Sequence, residues 1–478
     1  MRLTELLKGI ENIGTVEDRE IVDIVSDSRK VRKGSLYVCI KGRKFDGHTA
    51  AKAALENGAA AVVVEHSMGL DGEILVCNAR ASLAKLCQNF FCNPQEKLTL
   101  IAVTGTNGKT TVSSTVKQAL ESLGYKAGLI GTIRCEIGDM IIPAKFTTPE
   151  PWDINALFAR MVSAGCSHCV LEASSQALDQ GRLLGIDFAC GIFTNLTEDH
   201  LDYHGTMEEY YEAKKLLFTS CKSAVINLDD EYGKRLLSEL KIPTVTFSSR
   251  SDTASYTAKS VEFSAGGVKF AINGDGFLAR CSFAIPGMYS VDNAMAAFCA
   301  LVCVEIDKAK ACEAVSSAKG VIGRCEVLYN GDFTIICDYA HTADGLDKLL
   351  SSLKPFVKGR LITLFGCAGD RDPKKRPAMA QAVCKYSDFV VLSSDNPRSE
   401  DPLKIINEML SYVEQSGVAY TAVPDRFYAI HFALEMLEKD DVLALCGKGH
   451  EDYQVIDGCT IYLDEHRLVA DFIDEHNL

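Results

Sequence analysis

The sequence predicts an α/β protein of three domains: a central parallel sheet, a small α/β domain before it and a further α/β domain after it. Three observations carry that prediction. The chain has 478 residues, which is about three domains at roughly 150 residues each. Short apolar runs ending in polar residues alternate with helix-like stretches along most of it. One such run passes through a glycine loop, Gly105-Thr106-Asn107-Gly108-Lys109-Thr110-Thr111, into a helix.

The first domain, 1–96, holds the strand-like runs Ser35–Ile40 and Ala60–Val64, with a helical stretch Thr49–Asn57 between them. Asn93-Pro94 marks its end. The central domain, 97–327, opens on the buried-strand pattern Leu98–Thr104 and continues into a helix over Lys109–Leu123. The runs His168–Glu172, Phe188–Thr194 and Ala224–Asp229 end in polar residues, as strands do where parallel sheets bind ligands. Residues 251–285 alternate apolar and polar around Gly266-Gly267 and read as an antiparallel excursion. The third domain, 328–478, alternates again through Thr334–Cys337, Leu361–Phe365, Phe389–Ser393 and Val442–Cys446. It reads as Rossmann-like, without the G-x-G-x-x-G fingerprint of dinucleotide binding.

Composition narrows the function. The chain is 47% hydrophobic and 24% charged, ordinary for a globular protein. No apolar run reaches the roughly 18 residues of a membrane span, and the charged N-terminus does not read as a signal peptide. A cytoplasmic protein is expected. The net charge of −14 disfavours a nucleic-acid surface. The 19 cysteines lie mostly in apolar surroundings and read as buried thiols. Cys166-Ser167-His168-Cys169 reads as a strand edge rather than a metal or redox site.

The glycine loop carries the chemistry. Its glycines let successive N–H groups face an anion, and the helix that follows adds partial positive charge. Lys109 can reach β- and γ-phosphates, and the Thr110 hydroxyl can ligate Mg²⁺. The spacing is shorter than the usual G-x-x-x-x-G-K-[ST]. The central domain is therefore expected to be P-loop ATPase-like and to bind ATP.

TGTNGKTT resembles the shortened phosphate loop shared by the Mur ligases and folylpolyglutamate synthetases. The resemblance to the Mur ligase family then runs over nearly the whole chain. Glu172 in LEASSQAL resembles a metal-ligating Glu, and His200 in NLTEDHLDYH resembles a metal-holding His. Lys214 in YEAKKLLF resembles the family's carbamylated lysine; from sequence alone it is a solvated helix lysine. The resemblance thus implies a Mg²⁺ site of Thr110, Glu172, His200 and carbamylated Lys214, with Lys109 beside it at the catalytic centre. It implies ATP contacts from Gly105 to Thr111 and from Asn293, Arg324, Asp338 and His341.

Within the family, the chain resembles the branch that extends the peptidoglycan stem peptide at its third residue. Asp27-Ser28-Arg29 and Asp46-Gly47-His48 resemble its contacts to the UDP end of UDP-N-acetylmuramoyl-dipeptide. Thr147, Thr148, Ser174, Gln180 and Arg182 resemble its contacts to the muramoyl-dipeptide. Asp395-Asn396-Pro397-Arg398, with Arg371, Gly447 and Glu451, resembles the pocket for meso-diaminopimelate. A guanidinium suits that amino acid's distal carboxylate, which lysine lacks. An acyl-phosphate mechanism and a monomer are expected. Gln176, Ser290, Ile322, Ala343 and Ala368 depart from the family pattern. The alternatives are a lysine-adding relative, a folylpolyglutamate synthetase-like ligase and a nucleotide switch that forms no bond.

Overall fold

The computed structural model describes residues 1–13, 17–42, 45–264, 266–476 and 478. Three main sheets are formed, one in each of three consecutive stretches of chain.

The N-terminal sheet has five strands, in the order Asn12–Ile13, Glu73–Val76, Ala61–Val64, Ser35–Val38 and Asp23–Val25. All pairs are parallel except the first. The helix expected over Thr49–Asn57 is a 3₁₀ turn, Gly47–Ala50, running into the helix Ala51–Glu56. The Asp46 side chain accepts from the His48 N–H and so sets that turn. The helix Ala79–Phe90 starts where the Asn78 side chain accepts from the Ala81 N–H. It buries Leu83, Leu86 and Cys87 with the sheet residues Leu36, Val38 and Val63.

The central sheet has eleven strands. Its parallel core runs Thr244–Ser248, Ala224–Asn227, Cys190–Phe193, Thr99–Thr104, His168–Glu172 and Ala127–Ile130. These strands read as unbroken apolar runs because both faces of the sheet are covered. The antiparallel strands Tyr256–Ser264, Gly267–Gly274 and Phe277–Phe283 do not form a separate sheet. They extend the same one, Phe247 and Ser248 pairing parallel with Tyr256 and Thr257. Helix Lys109–Ser122 and the helix Met288–Cys303, buried from Asn293 to Leu301, pack together on one face. Cys169 lies inside the strand His168–Glu172 and Cys166 just before it, both buried and free.

The third sheet has six strands, in the order Glu326–Asn330, Thr334–Asp338, Val442–Cys446, Leu361–Phe365, Phe389–Leu392 and Ala419–Ala422. Only the first is antiparallel. A domain limit at 327/328 cuts that first strand. Residues 326 and 327 already pair with 337 and 336, so the third unit begins before Glu326. At the carboxyl ends of its parallel strands lie the segments from Asp338, Gly366, Asp395 and Gly447, where ligands bind sheets of this kind.

Candidate active site

Backbone conformation shapes the phosphate loop. Gly105 has φ +149° and Gly108 φ +87°. A Cβ on Gly105 would collide with Thr194 Oγ1, and one on Gly108 would lie 2.5 Å from Asn293 Oδ1, so neither position admits a side chain as the loop stands. The neighbouring strand end grips the loop from below. Thr194 Oγ1 donates to the Asn107 carbonyl at 2.6 Å, and the Asn107 N–H donates to Asn195 Oδ1 at 2.9 Å. Lys109 Nζ folds back to donate to the carbonyls of Gly105 and Thr106, each at 2.9 Å. Burial lowers the Lys109 pKa, against the pull of Glu172 and Asp199.

Glu172, 1% exposed, ends the strand beside the loop. Its Oε2 accepts from Thr110 Oγ1 at 3.0 Å and from Thr132 Oγ1 at 2.8 Å, while Oε1 accepts from the Thr132 N–H at 3.0 Å. His200 has φ +53° at the start of the short helix Leu201–His204. Burial pushes its pKa down to about 4, so at neutral pH it presents an uncharged imidazole.

Lys214 corrects its reading as a solvated helix lysine. Helix Met207–Lys215 turns Tyr210, Tyr211 and Lys214 inward, an i, i+3/i+4 face, and leaves Lys214 1% exposed. Its Nζ donates to the Gly105 carbonyl at 2.8 Å and lies 4.5 Å from the centre of the Tyr210 ring. Burial, then repulsion from Lys109, holds its pKa well below the usual lysine range, Asp199 opposing. Among the described residues no three His, Cys, Asp or Glu side chains converge as a metal cage.

The third unit closes the other side of a cleft of about 690 Å³. Arg324 Nη2 donates to Thr110 Oγ1 at 3.3 Å, and its guanidinium lies 4.7 Å from the centre of the Tyr339 ring. Asp338 accepts from the N–H groups of Cys325 at 2.6 Å and Ala340 at 2.7 Å. Burial raises its pKa, with Arg324 opposing. Asn293, His341 and Arg371 also line the cleft.

Thr147, Thr148, Ser174 and Arg182 line the far end, with Gln176 and Phe146. Thr148 Oγ1 donates to the Glu172 carbonyl at 2.7 Å, tying this wall to the Glu172 strand. Arg182 donates to Thr148 O at 2.8 Å and Gln180 Oε1 at 2.8 Å and pairs with Glu150 at 2.9 Å. Ser28 and His48 lie outside the cleft, in the N-terminal unit. They meet through Tyr37, whose hydroxyl hydrogen-bonds Ser28 and donates to the Gly47 carbonyl at 3.0 Å. Both His48 ring nitrogens are engaged, Nδ1 with Asp46 Oδ1 at 2.7 Å and Nε2 accepting from the Glu65 N–H at 3.1 Å.

The residues expected for the amino acid form a second cluster. Asn396 Oδ1 accepts from Lys448 Nζ at 3.1 Å and from the Val455 N–H at 2.9 Å, and its Nδ2 donates to Glu451 Oε2 at 3.1 Å. Lys448, fully buried, pairs with Glu451 at 2.7 Å. Arg398, at φ +54°, donates from Nη1 to the Gly369 carbonyl at 2.7 Å. Gly447, at φ +109°, brings its backbone against Asp395. Arg371 lines the cleft, and the Asp370 carboxylate, its pKa lowered first by its bonds with Ser399, is lowered further by both Arg398 and Arg371.

Motif reading missed several residues that hold these groups. Thr132 orients Glu172, and Asp344 joins the third unit to the loop. Arg426, buried, donates to Glu465 Oε1 at 2.6 Å, Ser394 O at 3.2 Å and Cys446 O at 2.8 Å, locking together two strand ends of the amino-acid cluster.

A phosphate loop, a buried carboxylate beside its threonine and a third unit facing both define a nucleotide-dependent enzyme site. Comparison with known proteins specifies the class. Family models match residues 20–85 (Mur ligase family, catalytic domain), 103–301 (Mur ligase middle domain) and 323–449 (Mur ligase, glutamate ligase domain). A Clostridium tetani protein named UDP-N-acetylmuramoyl-L-alanyl-D-glutamate–2,6-diaminopimelate ligase is 42% identical, covering 99% of this chain and all of its own length. A Caldanaerobacter subterraneus protein of the same name is 42% identical over 99% of both chains. A solved structure of a ligase so named superposes with TM-score 0.72 at 34% identity, covering 96% of each chain. The chain belongs to the Mur ligase family.

Proposed function

We propose that the protein is an ATP-dependent ligase that joins meso-2,6-diaminopimelate to UDP-N-acetylmuramoyl-L-alanyl-D-glutamate, in peptidoglycan synthesis. The carrying observation is the pairing of two clusters, the Lys109–Glu172 centre at the phosphate loop and the Asn396–Arg398–Glu451 cluster behind it. The full-length relatives named for this reaction support the reading.

The carboxylate of the substrate's D-glutamate would attack the γ-phosphorus of ATP. The bond to the bridging oxygen breaks, ADP leaves and an acyl phosphate remains. Lys109 supplies positive charge where charge accumulates on the bridging oxygen. Arg324, already at Thr110, lies on the same side. Arg182, braced by Glu150 and Gln180, would hold the dipeptide. The incoming amine attacks the acyl carbon, phosphate departs and the amine gives up its proton. Arg398 would take the distal carboxylate of diaminopimelate and Glu451 its ammonium. Ser28 and His48 would serve the UDP end, His48 as the brace of the 46–48 turn.

Mg²⁺ fits the donors present. Glu172 and the Thr110 hydroxyl are oxygen ligands suited to a hard cation, and His200 is an uncharged imidazole at neutral pH. Carbamylated Lys214 would add a carboxylate-like group, and its depressed pKa favours the uncharged amine that carbon dioxide requires. The cation would supply neutralisation of phosphate charge. No helix among the described residues is long and apolar enough to cross a membrane. The reading places the chain in the cytoplasm, working as a monomer.

The test is a complete reaction followed by mass spectrometry. We expect ADP release only with all three substrates, and a product heavier than the dipeptide precursor by one diaminopimelate less water. ADP release independent of the amino acid would contradict the proposal and favour a nucleotide switch.

A further inference from the structure

Asp344 lies in the third unit, in the first turn of helix Ala343–Leu353, which Thr342 caps through the Gly345 N–H. Its carboxylate reaches across the cleft. Oδ2 accepts from Asn107 Nδ2, in the phosphate loop, at 2.8 Å and from Thr197 Oγ1 at 3.1 Å. Lys348, one turn on, donates to the same oxygen at 2.8 Å. A bare carboxylate beside a polyphosphate site would repel the nucleotide, and Lys348 neutralises it there.

The loop does not need Asp344 for its shape. Thr194 and Asn195 already hold the Asn107 backbone from within the central unit. Asp344 takes only the Asn107 side chain, the part of the loop that points at the other unit. Together with the Arg324–Thr110 bond, this bond therefore sets where the third unit sits relative to the loop. That unit carries His341 and Arg371 in the cleft, and the Arg398–Glu451 cluster behind it.

We infer that Asp344 is a positioning residue that registers the amino-acid-binding unit on the phosphate loop, acting through Asn107 and Thr197. The inference rests on the proposed reading of the cleft as a nucleotide site.

The experiment uses the full chain. Turnover and binding of a non-hydrolysable ATP analogue are compared for wild type, Asp344→Ala, Asp344→Asn, Asn107→Ala and the double variant Asp344→Ala/Asn107→Ala. Losing the bridge should lower kcat by roughly tenfold in Asp344→Ala, the scale of one charged hydrogen bond. Analogue affinity should change by less than about threefold, because the loop's own supports remain. Asp344→Asn keeps an acceptor oxygen and should stay within about threefold of wild type in kcat. The double variant should be no worse than the poorer single variant, since both remove one bridge. Unchanged kcat in Asp344→Ala, a loss confined to nucleotide affinity, an Asp344→Asn defect as deep as that of alanine, or additive single effects would each overturn the inference. Failure of wild type itself to bind the analogue would instead overturn the reading of the cleft.

Discussion

Lys109 and Lys214 converge on one atom. Both ammonium nitrogens lie within hydrogen-bonding distance of the Gly105 carbonyl oxygen, at 2.9 and 2.8 Å. Two buried cations at one carbonyl repel each other, and the more deeply placed one, Lys214, gives way. Its pKa is held low, which favours the uncharged amine that carbamylation requires.

Replacing Lys214 separates activity from stability. Lys214→Met should abolish turnover, and added bicarbonate should not restore it, whereas wild type prepared free of carbon dioxide should regain activity on bicarbonate addition. The same change should stabilise the fold by about 1 kcal/mol, because it removes a poorly satisfied buried amine. The pH dependence has a definite sign. With the folded pKa below the unfolded value, the unfolded chain holds the extra proton between the two, so wild type kept free of carbon dioxide gains stability relative to Lys214→Met as pH rises toward about 10. Thermal melts of both proteins across that range check it.

Thr132 controls the carboxylate that the cation needs. Thr132→Val keeps the backbone N–H to Glu172 but removes the hydroxyl bond at 2.8 Å. We expect kcat to fall about tenfold and the Mg²⁺ concentration for half-maximal rate to rise, as for loss of an orienting partner. A Mg²⁺ titration of initial rates decides the point.

Arg426 and Glu465 are fully buried partners. Truncating either leaves a buried charge alone, so Arg426→Ala or Glu465→Ala should cost about 3–5 kcal/mol in urea unfolding. Arg426→Met/Glu465→Leu should cost distinctly less than either single change. Because Arg426 also ties Ser394 to Cys446, that double variant should keep its fold yet bind the amino acid poorly.

His466 gives a second pH handle. Its Nε2 bonds Glu326 Oε2 at 2.8 Å, the atom that also accepts from the Gly323 N–H next to Arg324. That bond raises the His466 pKa. A raised folded pKa contributes stability fully below about pH 6.5 and loses it as pH climbs through the folded value. Wild type should therefore lose its advantage over His466→Gln as pH rises above about 6.5, read as the difference in melting temperature.

Local sequence reveals elements whose cause is local. The strand into Gly105 and the helix from Lys109 were legible because glycine, apolar run and helix start are adjacent. The segments after Asp338 and Asp395 were legible by resemblance, since each follows one strand. What escaped is held by distant partners. Thr132 acts 40 residues from Glu172, and Asp344 acts 237 residues from Asn107. Neither residue stands out in its own neighbourhood. Lys214 was singled out by resemblance, but its burial escaped for a related reason: an E-A-K-K helix looks solvated until Tyr210 and Tyr211 turn its other face inward.

The amino acid added is the sharpest claim. It is tested most directly by offering meso-diaminopimelate and L-lysine separately to wild type and to Arg398→Ala, with ATP, Mg²⁺ and the UDP-muramoyl-dipeptide, and following ADP release. The expected result is turnover with diaminopimelate, little with lysine, and a loss of roughly a hundredfold in kcat/KM for diaminopimelate in Arg398→Ala, the scale of a lost bidentate ion pair. Efficient turnover of lysine by wild type, with Arg398→Ala unimpaired, would contradict the account.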